Sequence, residues 1–387
     1  MAGIYIHIPF CKQACHYCNF HFSTSLSRKN ELLAGLLKEI ELRKQSTGNS
    51  DSDKEKNYLN DEKVETIYFG GGTPSLLHVD DCRLILEKIK DSFIIDQHAE
   101  ITLETNPDDI TSQNLSCWRD IGINRLSIGV QSFFEEDLIW MNRAHNAVQA
   151  HECIELALNT GFTNISIDLI YGMPGQTDEK WQSNVERSIA YHIPHLSCYA
   201  LTVEPKTALH KFIELKKVAD INQDTQVNQF LLLMKWMEAT GYEHYEISNF
   251  AKPGHRSRHN SSYWQGTKYL GIGPSAHSFN GTSRQWNVSN NSMYINAINK
   301  NILPYEVETL TPMQQMNEYI MTSLRTTEGL NLSYMENKWG KDATATIQKE
   351  GSKFIRSGKI KVENNMLKLT REGKLLADGI ASEFFFT

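Results

Sequence analysis

The sequence predicts an α/β protein: a parallel barrel of repeated βα units followed by a smaller, mostly helical domain. Three observations predict it. Short apolar strands alternate with longer amphipathic helices through the first half of the chain. The strands are near-continuous apolar runs, as in parallel sheets covered on both faces. The character then changes near Pro304, where helices and one small hairpin follow.

Each element has its own signal. Gly3–Ile8 reads as a strand and Arg28–Arg43 as a helix. Glu65–Phe69 is a strand before the helix Asp80–Ser92, and Glu100–Glu104 a strand before the helix Thr111–Ile121. Arg125–Gly129 precedes the helix Ala147–Thr160, and Asn164–Tyr171 precedes Asp178–Tyr191. His195–Leu201 is the sixth strand. Ser46–Lys63 is polar with almost no apolar residue, which predicts a surface insertion. The boundary between residues 1–303 and 304–387 follows the change of character. Thr311-Pro312 is a good cap and first-turn pair for a helix running to Leu324. Helical stretches Ser333–Trp339 and Ala343–Gly351 follow, then strands Lys359–Val362 and Met366–Leu369 across the turn Asn364-Asn365, then a helix over Thr370–Ser382. That order is winged-helix-like. Nine Lys or Arg lie between Lys341 and Lys374, but Asp342, Glu350, Glu363 and Glu372 are interleaved. The stretch therefore reads as a solvated face rather than a nucleic-acid footprint.

Of 387 residues, 40% are hydrophobic and 22% charged, with 46 acids against 39 bases and a formal net charge of −7. No basic excess draws the whole molecule to nucleic acid or an anionic membrane. No apolar run approaches the roughly 18–20 residues of a membrane span. The first strand leaves no room for a targeting peptide, so a cytoplasmic protein is expected, with membrane contact only through a partner. Cys82, Cys117, Cys153 and Cys198 are scattered in apolar patterns and read as buried free thiols.

The chemistry is concentrated in Cys11, Cys15 and Cys18, spaced CxxxCxxC. Three thiolates can bind three irons of a 4Fe–4S cube and leave the fourth open to a reacting ligand. A disulfide would leave one thiol odd. Zinc needs a fourth ligand, which His7, His16 or His21 could supply, so spacing alone leaves zinc open. Further polar residues stand at strand ends. Gly70-Gly71-Gly72-Thr73 follows the second strand, where glycines let backbone approach a ligand. Glu104 ends the third, Gln131 follows the fourth, Asp168 lies in the fifth, and Arg143 falls in a nearby loop. Singly, such residues cap helices or face solvent. Gathered at one barrel rim, they can bind a zwitterion carrying a ribose: backbone for the ammonium, Arg for the carboxylate, Asp or Glu for hydroxyls.

CxxxCxxC after the first strand, with GGGTP after the second, resembles the radical S-adenosylmethionine superfamily. IYIHIPFC, GGGTPS, ETNP, GVQSF, SIDLIYGMPGQ, YEISNFAKPGHRSRHNSSYW and GIGPSAHS follow in order. Together they resemble the branch holding oxygen-independent coproporphyrinogen III oxidase and the HemW-type haem chaperones. The resemblance implies a partial (β/α)6 radical-SAM barrel with a C-terminal domain. It implies a 4Fe–4S cluster on Cys11, Cys15 and Cys18, and S-adenosylmethionine on its open iron. By motif position, Tyr5, Gly71, Gly72, Thr73, Glu104, Gln131, Arg143 and Asp168 would line that cofactor. In this superfamily an electron from the cluster cleaves the sulfonium to methionine and a deoxyadenosyl radical.

Two departures separate the branches. The oxidase resembles this chain but has a further cysteine where Phe20 stands, and an N-terminal extension that helps close over its substrate. The HemW-like group resembles this chain in Phe20 and in the segment His259–Trp264, HNxxYW. That segment offers an imidazole and two aromatic rings for haem. From chemistry alone it better suits a hydrogen-bonded His beside a Tyr/Trp core cluster; the resemblance turns the balance toward haem. His255 and His277 are rival iron ligands. The resemblance therefore implies a haem-binding protein that transfers haem to an acceptor protein, without oxidase turnover. The alternative is oxidative decarboxylation of coproporphyrinogen III; a radical methyltransferase is a third class. An electron donor is a compatible partner, and both a monomer and a homodimer are compatible states.

Overall fold

A computed structural model describes residues 2–44, 58–59 and 62–387. Most of the expected surface insertion lies outside those residues. Tyr58 and Leu59, within it, are buried, and the Tyr58 hydroxyl meets the Ser283 hydroxyl at 2.8 Å. Part of that segment is therefore anchored in the core, by the few apolar residues it has.

Six strands pair in sequence order and in parallel: β1 (Ala2–Ile8), β2 (Val64–Gly71), β3 (Ile95–Thr105), β4 (Arg125–Gln131), β5 (Ile165–Tyr171) and β6 (His195–Ala200). Ile4, Ile6, Ile67, Phe69, Leu126, Ile128, Ile165 and Ile167 are fully buried along them. That burial is why the runs show no polar alternation. The connecting helices open where the sequence places caps: Thr111, Asn146 and Thr177 each accept a backbone N–H through their side chains.

The sheet does not close on itself. Beyond β6 lie the antiparallel β8 (Asn249–Ala251) and β7 (Glu243–Glu246). Beyond β1 lies β9 (Lys268–Ile272), parallel to it, then antiparallel β10 (His277–Phe279), β11 (Ser283–Asn287) and β12 (Tyr305–Thr309). These additions were not legible strand by strand, because they are short and carry many polar residues. Among the described residues they make twelve strands in one sheet. The helix Lys29–Lys44 is tied to the extension by a fully buried ion pair, Glu39–Arg43 (3.1 Å). Glu39 accepts the Gly273 N–H (2.8 Å) and the Tyr294 hydroxyl (2.6 Å), while Arg43 donates to Gln285 (2.7 Å).

A second hydrophobic core runs from Met316 to Phe384. It holds the helices Pro312–Leu324, Leu332–Trp339 and Lys341–Arg356, and a sheet ordered β13 (Leu330–Asn331), β15 (Met366–Leu369), β14 (Ile360–Glu363). Thr311 and Gln314 form a reciprocal capping box ahead of Pro312. The helix expected over Thr370–Ser382 is instead two, Arg371–Lys374 and Ala377–Ser382. The backbone leaves the helical region at Leu376 (φ −123°, ψ 23°), and the bent segment reaches the rim of the barrel. Several basic residues of this domain pair with acids, as in Lys353–Glu383 (2.6 Å) and Lys361–Glu363 (2.7 Å). Among the described residues no helix is long and apolar enough to cross a membrane.

Candidate functional site

A cavity of about 910 Å³ opens at the carboxyl ends of the parallel strands. Cys11, Cys15, Cys18 and Phe20 line it from the loop after β1; Gly71, Gly72 and Thr73 come from the loop after β2. Glu104, Gln131, Asp168 and Arg143 complete that side. The structure thus brings these residues to one wall. Tyr5 is not among the lining residues; it lies beneath them, stacked on Tyr68, with its hydroxyl 3.2 Å from His7 Nδ1.

The cysteine loop is held from several sides. The Asn142 side chain donates to the Ala14 carbonyl (2.7 Å) and accepts from Gln13 (2.6 Å). Asn142 ends the helix Glu135–Met141 in the left-handed region, φ +58°. The glycine loop is stitched to the cysteine loop by Gly72 N–H to Ile8 C=O (2.9 Å) and Thr73 N–H to Phe10 C=O (2.6 Å). A Cβ on Gly72 would stand 2.6 Å from the Phe10 carbonyl oxygen. Here the glycine is required by the approach of two backbones.

All three cysteines are free and half-buried. Burial pushes the Cys11 thiol up to about 11, and that of Cys18 upward. Such thiols ionise when metal takes the place of the proton. Among the described residues no three His, Cys, Asp or Glu side chains gather tightly enough for one ion. Each of the candidate fourth ligands commits a ring nitrogen to a hydrogen bond. His7 Nε2 bonds the His21 carbonyl (3.0 Å), His16 Nδ1 the Trp140 carbonyl (2.9 Å), and His21 Nε2 the Asn291 side chain (2.8 Å).

Arg143 extends to the cysteines. It donates to Cys15 Sγ (3.4 Å), Asn106 Oδ1 (2.6 Å) and the Gly129 carbonyl (2.8 Å), while its buried Nε has no partner. Asn106 lies in the ETNP stretch, yet its part in holding Arg143 was not legible; proximity of residues 37 apart in the chain gives no local signal. Glu104 accepts the Tyr68 hydroxyl (2.8 Å) and the Gly71 N–H (3.1 Å). Burial pushes its carboxyl up to about 7, and burial likewise pushes Asp168 up to about 6.

The far wall of the cavity belongs to the second core: Arg325 and the bent segment Lys374, Leu376 and Asp378. Arg325 pairs with Asp378 and lies over the Trp264 ring, 5.2 Å from its centroid. Phe20 is 69% exposed at this cavity, and Tyr199, Val227 and Leu376 are further exposed apolar residues on its lining.

His259 lies elsewhere. It is buried toward the amino ends of the strands, beneath the cavity lining: a Cβ on Gly3 would meet both Thr66 and its ring, and the ring stacks on Tyr68 at 4.9 Å. Its Nδ1 bonds the Thr66 hydroxyl (2.7 Å) and its Nε2 the Tyr263 hydroxyl (2.8 Å). Gly3 and Ile8 are separated by roughly 16 Å of strand. Both backbone N–H groups of Arg258 and His259 donate to Glu100 (3.2 and 3.1 Å), which seats the helix Arg258–Trp264 under the sheet.

A parallel sheet with a three-cysteine loop at its carboxyl edge is the arrangement of the radical SAM superfamily, whose family model matches residues 5–187. A model described as the HemN C-terminal domain matches residues 310–376. The chain is 32% identical over 390 residues to the heme chaperone HemW of Bacillus subtilis, covering 99% of each. It is 31% identical to that of Mycobacterium tuberculosis over 384 residues, 98% of this chain and 93% of the relative. Within the superfamily, the chain belongs to the HemW family. Among solved structures, the coproporphyrinogen III oxidase HemN of Escherichia coli superposes with a TM-score of 0.83 at 24% identity, over 99% of this chain and 90% of that one, a likeness of fold.

Proposed function

We propose that the chain holds a 4Fe–4S cluster on Cys11, Cys15 and Cys18 with S-adenosylmethionine on the open iron, and binds haem for transfer to an acceptor protein. The observation that carries the haem part is the end-to-end likeness to proteins described as heme chaperones. Phe20, in place of a further cysteine, supports the same reading against the oxidase. The cluster supplies an open iron and an electron to its ligand when bound. The chain's own residues do the rest. Arg143, fixed by Asn106 and Gly129, offers a fork to the cofactor's carboxylate. The Gly71–Thr73 backbone and Gln131 shape the adjoining wall. Glu104 and Asp168 are buried carboxyls that a cationic cofactor would ionise. His259–Trp264 contributes to the haem site, and the acceptor protein and an electron donor are the partners of this reading.

The test is anaerobic reconstitution followed by parallel assays. Hemin binding near equimolar ratio, without conversion of coproporphyrinogen III, is the expected result. The triple change of Cys11, Cys15 and Cys18 to Ala should abolish iron–sulfur absorbance. Cluster-dependent formation of protoporphyrinogen IX would overturn the chaperone reading in favour of the oxidase.

A further inference from the structure

Branched apolar side chains ordinarily fill the inside of a parallel barrel. Here the inside is polar. Glu104 of β3 and Ser127 of β4 are paired in register, and both line the cysteine cavity. Strand alternation turns Thr102 and Arg125, also paired in register, to the same side one layer deeper. Two residues of strand put that layer roughly 7 Å below the first.

Arg125 is 1% exposed, and none of its three side-chain nitrogens finds a hydrogen-bond partner among the described residues. Thr102, across the strand pair, is fully buried, and its hydroxyl is likewise unpartnered. A bare guanidinium in a protein interior is strongly disfavoured. Two neighbouring buried groups with the same need mark one internal water site.

The carboxyl groups around Arg125 differ in what they have left to give. Glu100, deeper still on β3, is committed to the Arg258 and His259 N–H groups. Glu104 accepts one bond on each oxygen, from Tyr68 and Gly71, and keeps further lone pairs. Asp168 is bonded by Ser197 and by Ser127, the next inward residue after Arg125 on its strand. The charge of Arg125 acts on Glu104 and Asp168, and from the other walls on Tyr68, His195, Tyr245 and His259. Burial keeps the two tyrosines protonated and the two imidazoles neutral, so none of these four offers a counter-charge. Tyr5, Tyr199 and Tyr263 feel the charge of Glu104 and are held protonated in the same way. Arg143 acts on Asp168 from the rim, and Asp168 acts on Glu104.

We propose that Arg125 is a positioning residue of the cofactor site: joined through internal water to Thr102 and the inner carboxyl groups, it supplies the counter-charge that lets Glu104 and Asp168 serve as carboxylates. The assignment rests on the cofactor reading above and adds what stands behind the residues that line the cavity. A ribose hydroxyl that donates needs an acceptor, and a carboxyl group that keeps its proton has one fewer to offer. Arg125 acts through water and charge, one layer away from the cofactor.

The test follows the carboxyl bands of the ligand-free full chain by infrared titration, with Glu104→Gln to assign the Glu104 band. Arg125→Met should raise the Glu104 midpoint by about one to two pH units, the scale of a unit charge at roughly 7 Å in an effective dielectric of about 20. Arg125→Lys, which keeps the charge, should hold the midpoint near its original value. In reconstituted protein, Arg125→Met should weaken S-adenosylmethionine binding about fivefold near pH 7 and less at higher pH, with iron content unchanged. Where Arg125→Met does not fold, Arg125→Gln carries the same expectation. An unchanged Glu104 midpoint in the neutral variant would overturn the role of Arg125 and leave the cofactor reading standing. An unaltered chain that carries its cluster and binds no S-adenosylmethionine would overturn both.

Discussion

Gln131 has a backbone φ of +67°, a region that a side chain of its size enters at a cost. The strand β4 slips register between Ile128 and Gln131, and the bulge turns this side chain onto the cavity. The residue was legible as a strand-end amide; its strain was not, because nothing in GVQSF marks a left-handed turn at a glutamine. Arg143 shows the same division. Its position in a loop beside the rim was legible, while its contacts with Asn106 and Cys15 required the fold. Those contacts engage both terminal nitrogens of the guanidinium, so replacement by Lys loses the planar fork together with the bonds that hold it. Arg143→Lys should weaken S-adenosylmethionine binding about tenfold, the scale of one charge-assisted bond. Equilibrium dialysis on reconstituted protein measures it, with iron content as the control. Equal affinity in the two proteins would remove Arg143 from the cofactor site.

Among elements, the parallel strands were the most legible, since apolar runs such as ISIDLIY leave little choice of structure. Helices with strong caps at Thr111, Thr177 and Thr311 were nearly as clear. Glu135–Met141 and Gln223–Ala239 were missed, the first because it is short and the second because Gln and Asn interrupt its apolar face. The first helix was found, but its most consequential pair was not. Glu39 and Arg43 look like an ordinary exposed i, i+4 pair, worth a few tenths of a kcal/mol. In the fold both are fully buried and hold the β9–β11 extension. Glu39→Ala leaves a buried guanidinium without its counter-charge. It should cost about 3–5 kcal/mol. A clear fall in thermal midpoint is expected, and a midpoint within 1 °C or so of the original would contradict the network's structural weight.

At the scale of the whole molecule, titration sets two opposing slopes. Glu104 and Asp168 hold their protons to about 7 and about 6, against roughly 4 in an unfolded chain. The fold therefore binds those protons more tightly. Their contribution is complete below about pH 4 and is lost as pH rises through those folded values. Buried imidazoles act oppositely: burial holds His7 at about 4, and His145, His244 and His259 at about 3. Their cost grows as pH falls below about 6.5 and is absent above it. From about pH 6.5 to 7.5, short of the value of about 8 at which the buried Lys374 loses its proton, the carboxyls leave the remaining slope. The midpoint of the ligand-free protein should fall across that window, and Glu104→Gln should flatten it; an identical slope in that variant would exclude Glu104 as its source. These shifts were not legible in sequence, because burial is a property of the assembled sheet. The same holds for the cysteine cavity. Its near wall follows strand by strand from the motifs, but its far wall, Arg325 and Lys374 to Asp378, comes from a segment that reads as one ordinary helix. That wall carries a consequence for biogenesis. Synthesis runs from Cys11 toward Lys374, so the thiols leave the ribosome early and their enclosure comes late. Until that segment is made, the cavity around the thiols lacks the wall that Arg325 and Lys374 to Asp378 supply.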